Sequence, residues 1–99
     1  MHKSCIGKME IVGWRQTKED PMFSLAAARM NAQRVVAQRA FYRWLVEQGI
    51  SFRMRFDTDA NPDIHNPAQI YPFNAYVIFN NRNDHLKFEL VWKGRYDEI

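Results

Sequence analysis

The chain has 99 residues but only one cysteine and four glycines, and no apolar run approaches the ~18 residues of a membrane span. Cys5 alone excludes an intramolecular disulfide and suits a reducing cytosol. The opening "MHKSCIGK" has charge without an apolar core, so it does not read as a secretory signal. Met9 is an alternative start, since regular patterning begins at "MEIVGW". A strong charge of one sign is missing too. Lys and Arg total 14 against 11 Asp and Glu, a net +3, which permits an acidic partner without requiring nucleic acid.

Catalytic signatures are also absent. There is no nucleophile elbow, phosphate loop or dinucleotide fingerprint. "DTDAN" opens like a calcium loop at Asp57, Asp59 and Asn61, but Pro62 stands where the turn needs glycine, and Ala68 where the last acidic ligand belongs. His2, Cys5, His65 and His85 lack the close spacing of a zinc site. A non-enzymatic protein without metal or cofactor is therefore expected.

What is present suggests one domain, residues 1–99, with 1–8 a flexible lead-in. "MEIVGW" (9–14) reads as a short strand. From Asp20, a plausible N-cap before Pro21, to Gly49 the chain holds no internal Gly or Pro, which predicts a single helix of about seven turns. At about 100° per residue, Phe23, Ala26, Ala27, Met30, Ala37, Phe41, Trp44 and Leu45 share one face. Arg29, Arg39 and Arg43 lie toward the other, beside Leu25, Ala32 and Val36. That second apolar seam suggests a contact beyond the sheet.

Three segments alternate. Ile50, Phe52, Met54 and Phe56 oppose Ser51, Arg53 and Arg55; Phe73, Ala75, Val77 and Phe79 oppose Asn74, Tyr76 and Ile78; Leu86, Phe88, Leu90 and Trp92 oppose Lys87, Glu89, Val91 and Lys93. "NNRND" between the last two reads as a hairpin turn. The expected fold is α+β: one long helix packed on a mainly antiparallel sheet of three to four strands, order β-α-β-β-β.

On the outward face, Tyr76, Ile78 and Val91 sit among Arg53, Arg55 and Lys87. Three readings fit. The face is a protein interface with an apolar centre and a basic rim; or Tyr76 stacks a base of a single-stranded nucleic acid while Arg53, Arg55 and Lys87 hold phosphates; or these residues only stiffen the sheet by cross-strand pairing. The segment "NPDIHNPAQIYPF" adds a long Pro-containing loop, 57–72. Such loops tend to be functional or mobile. Pro67 and Pro72 invite a reading of 61–72 as a partner-binding loop gated by X-Pro isomerisation, with a host prolyl isomerase as accelerator.

The size of the chain, the character of "MEIVGWRQTKEDPMF" and the Pro-containing loop resemble the small accessory proteins that temperate phages make against host machinery. Within that group the resemblance is greatest to the anti-RecBCD accessory proteins of lambdoid phages. It implies a non-enzymatic protein of the host cytoplasm that binds the RecBCD helicase-nuclease and alters recombination and end protection. No motif transfers a functional residue. The partner-binding candidates therefore remain Arg29, Arg39, Arg43, Arg53, Arg55, Tyr76, Ile78, Lys87, Pro67 and Pro72.

Overall fold

Alternation along residues 68–79 builds the middle of a sheet. The computed structural model, which describes residues 2–14, 22–63, 65–66 and 68–99, contains β1 (His2–Trp14), α1 (Met22–Ala37), α2 (Ala40–Glu47), β2 (Phe52–Asp57), β3 (Ala68–Phe79) and α3 (Arg82–Trp92). Among the described residues the fold is α+β, a three-stranded antiparallel sheet of order β1-β3-β2 with three helices. Tyr71, Phe73, Ala75, Val77 and Phe79 of β3 are buried on one face, with Phe52, Met54 and Phe56 of β2 in line with them. All three helices pack on that face. Ser24 of α1 bonds the Tyr71 hydroxyl at 2.5 Å, Tyr42 of α2 stands edge-on to Phe52, and Phe88 of α3 packs on Phe79. Two layers thus share one core, and the opposite sheet face carries no helix among the described residues.

The predicted long helix is two helices. Arg39 is extended (φ −78°, ψ 149°) and separates them. No Gly or Pro marks the break; its cause lies at the other end of the chain. The Ala40 N–H donates to the Glu98 carbonyl at 3.1 Å, and Arg39 Nη1 donates to the Asp97 carbonyl at 2.7 Å. The C-terminal segment thus satisfies donors that the start of α2 leaves free. Tyr96 anchors it, stacked on Phe88 (5.6 Å, 10°) and edge-on to Phe41. Asp20 and Pro21, the expected start signals, lie outside the described residues. Gly49, with φ +66°, ends α2 as expected.

The break also resets the helical phase. Phe41 and Leu45 are buried in α2, but the face they define does not extrapolate into α1. There the buried seam is Leu25, Ala28, Ala32 and Val36, whereas Phe23 and Met30 are 59% and 60% exposed. Small residues decide this. Two fully buried alanines bring α1 close to β1, where a Cβ on Gly13 would fall 2.1 Å from the Ser24 carbonyl oxygen. A Phe-and-Met seam would hold the two elements further apart.

Residues 85–93, predicted as a strand, are helical up to Trp92, within α3, and end at its C-cap Lys93. Phe88 and Trp92, four apart, are buried, while Leu86 and Leu90 point out, the latter 87% exposed. Asn81, expected in a turn, is the N-cap: its side chain accepts the Asp84 N–H at 2.9 Å. β1 is longer than predicted. It opens at His2 rather than Met9, so residues 2–8 pair with 74–79 across a bulge between Cys5 and Gly7. Gly7, at φ +121°, takes the turn in the strand that other residues resist.

The expected loop 57–72 is shortened from both ends, because β2 includes Asp57 and β3 begins at Ala68. Pro72 lies inside β3, opposite Glu10. β2 reaches only to Asn74, so at Pro72 the strand has a neighbour on one side alone, and the missing N–H costs no ladder bond there.

Candidate binding face

Register assigns the uncovered sheet face residue by residue, since directly opposed antiparallel residues share a face. Three successive rows read Lys3–Ile78–Arg53, Cys5–Tyr76–Arg55 and Lys8–Asn74–Asp57. β1, which the sequence left aside at this point, brings two cations to a face that already holds two arginines. Tyr76, half-buried, lies in the middle with Lys3 Nζ 4.8 Å above its ring centroid. Arg55 shares its charge with Asp57 at 2.9 Å; Arg53 and Lys8 are exposed. Across these three rows the face is a basic rim around one aromatic. Such a composition suits broad contact with a partner surface.

The other candidate residues lie elsewhere. Ile78 is on this face but buried, between the long side chains of Lys3 and Arg53, so it offers almost no contact area. Lys87 is on α3, not the sheet; it donates to Gln48 Oε1 at 2.8 Å and lies over Trp44. Glu89 and Val91 move to α3 with it, and Lys93 caps its C-terminal end. Arg39 and Arg43 sit at the helix break, Arg43 donating to the Gln38 carbonyl, while Arg29 is exposed on α1. These three do not converge with the sheet arginines. Pro72 is exposed on the open face, two rows beyond Tyr76, and no peptide bond among the described residues is cis. Pro67 lies outside the described residues.

The loop between β2 and β3 is tied by its own polar groups. Gln69 accepts the Asp63 N–H at 2.7 Å and donates to the Asn61 carbonyl at 2.8 Å. Asp63 and Asn66 side chains accept the N–H of His65 and Ala68. These are Asx turns, and they give the Asn- and Asp-rich composition a local structural use.

A second polar cluster escaped sequence reasoning. Ser4 is buried on the inner face of β1 and donates to Glu89 Oε1; His85 Nε2 lies 3.0 Å from the Ser4 hydroxyl and 3.5 Å from Glu89. Tyr96 donates to Glu89 Oε2 at 3.2 Å. Burial, then the charge and hydrogen bond of Glu89, with a last contribution from Cys5, push the Tyr96 hydroxyl up to about 12. The members resemble a Ser-His-Glu triad, but the connections differ. The serine proton goes to the carboxylate, and one imidazole nitrogen faces both partners, so His85 cannot relay between them. With Ser4 buried, the cluster acts as a clasp joining β1, α3 and the C-terminal segment. Nothing in sequence connects residues 4, 85, 89 and 96.

Among the described residues no helix is long and apolar enough to cross a membrane, and no three His, Cys, Asp or Glu side chains converge as metal ligands do. Compared with models of known families, with curated protein sequences and with solved structures, the chain matches none.

Proposed function

We propose that this chain is a non-enzymatic accessory protein that binds a host protein complex and inhibits or modulates it, using the open face of its sheet. The RecBCD helicase-nuclease is the partner to which the sequence resemblance points. The observation that carries the reading is the one-sided sheet: helices cover one face, and the other sets Lys3, Lys8, Arg53 and Arg55 around Tyr76. An aromatic centre with a cationic rim is the composition of a protein-binding surface. In this reading a host prolyl isomerase would act at Pro67 or Pro72.

Single-stranded nucleic acid is the second reading, favoured by the same tyrosine among cations. Two details weigh against it. Lys3 already lies over the Tyr76 ring, where a base would stack, and Asp57 engages one of the two arginines.

The test mixes the purified chain with purified RecBCD and follows complex formation and nuclease activity. The wild-type chain is expected to co-migrate with the complex and change its activity. Arg53→Glu with Arg55→Glu should weaken binding by roughly a hundredfold, as loss and reversal of interface charge does. Absence of a complex, or full binding by the charge-reversed chain, overturns the reading. A parallel titration with single-stranded DNA separates the alternative, since its affinity falls steeply with salt.

A further inference from the structure

The two edges of the sheet are finished differently. β1 is blunted. A bulge at Cys5–Gly7 breaks its register, the Asn31 side chain occupies the Val12 carbonyl at 3.1 Å, and α1 lies hard against Gly13. These are devices that keep an edge from pairing. β2 has none of them. It pairs with β3 in unbroken register from Phe52 to Asp57 and contains neither Gly nor Pro. Among the described residues, no group outside β3 hydrogen-bonds its main chain. An edge strand in that state presents alternate N–H and C=O groups outward.

The side chains around this edge are incomplete in the same direction. Phe52 and Met54, on the inner face, are only half-buried. Tyr42 stands 5.1 Å from Phe52, and Val46, one turn along the same side of α2, is 59% exposed. The helical layer therefore carries apolar surface past the last strand. On the outer face Arg53 and Arg55 stand two residues apart, both exposed.

We propose that β2 is a docking edge for an extended acidic segment of a partner protein, which adds to the sheet as a fourth strand. Its acidic side chains would oppose Arg53 and Arg55, and the alternate, apolar ones would cover Phe52 and Met54. Main-chain hydrogen bonds supply the hold and the alternation supplies the choice of partner. This inference rests on the open-face reading above and specifies how the partner is gripped. Charge selects against a second copy of the chain. Two β2 strands paired antiparallel about Met54 would set Arg53 of each against Arg55 of the other.

The test titrates the full chain with a labelled peptide alternating Asp or Glu with Val. Saturable binding is expected, with the amide resonances of 52–57 shifting most and gaining protection from exchange. The same peptide N-methylated on the edge that meets β2 keeps every side chain but loses main-chain donors, and should bind roughly tenfold or more weakly. The Arg53→Glu, Arg55→Glu chain should prefer a peptide with Lys in place of the acids. Equal binding of the N-methylated peptide overturns strand addition while leaving the open face as the recognition surface. Failure of the acidic peptide to bind, while charge reversal still abolishes capture of the partner complex, overturns the docking edge alone. Self-association of the free chain with shifts centred on 52–57 gives the edge to a second copy and overturns the proposal as well.

Discussion

Tyr96 concentrates several roles in one side chain. Its ring fills the space between Phe88 and Phe41, and its hydroxyl is spent on Glu89. The phenolate would have to form in a partly dehydrated place and beside the Glu89 carboxylate, which is why its ionisation moves from the ordinary 10.0 up to about 12. A raised value in the folded chain means that the folded state holds this proton more firmly than the unfolded one. The associated stability is fully present below pH 10 and is lost as pH rises toward 12. Urea melts of the wild type and Tyr96→Phe across that window should show the wild type losing stability more steeply. Glu89→Gln should bring the Tyr96 ionisation back toward 10, read by ultraviolet absorbance. An unchanged titration in Glu89→Gln would show that the carboxylate does not govern it.

At the scale of elements, the contact between α1 and β1 is set by how little stands between them. Gly13 has no room for a side chain: an added Cβ would meet the backbone oxygen and carbon of Ser24 at 2.1 and 2.8 Å. Backbone atoms cannot rotate away as a flexible side chain can. Gly13→Ala should therefore cost about 1–3 kcal/mol or more, as over-packing does, and chemical denaturation reads it directly. Wild-type stability in that variant would mean that α1 is free to slide outward. The elements also show what a sequence discloses. β2 and β3 were legible, because each has one buried and one open face and alternation is the direct imprint of that. α3 was not. Leu86, Phe88, Leu90 and Trp92 satisfy a period of two, and Phe88 and Trp92 alone satisfy the helical spacing; the deciding signal was Asn81 followed three residues later by Asp84. The break at Arg39 had no local signal, since its cause is a pair of carbonyls almost sixty residues away. The open face was half legible. Arg53, Arg55 and Tyr76 followed from alternation, but Lys3 and Lys8 needed the register of β1, and Lys87 was drawn in by the misread third strand.

The whole molecule is drawn out rather than round, 45 × 26 × 21 Å, because β1 and β3 run beside each other for about 40 Å. That length leaves a narrow sheet with one covered face, and it makes the open face a strip along which a partner can lie. It also ties early residues to late ones. His2 pairs with Phe79, Ser4 donates to Glu89, and the Glu98 carbonyl caps Ala40. Contacts so distant along the chain slow folding, and refolding in milliseconds to seconds is expected of such a topology. Stopped-flow fluorescence of the tryptophans measures it; refolding within microseconds would mean that local helices carry the barrier.

On the ribosome the same feature acquires a direction. The thirteen residues of β1 leave the ribosome well before β3, their strand partner among the described residues, which is synthesised some sixty residues later. During that interval an unpaired, partly apolar ribbon waits in a crowded cell. The bulge at Cys5–Gly7 and the lysines at 3 and 8 then serve the nascent chain as much as the finished fold, by making the waiting strand a poor template for its neighbours on the same message.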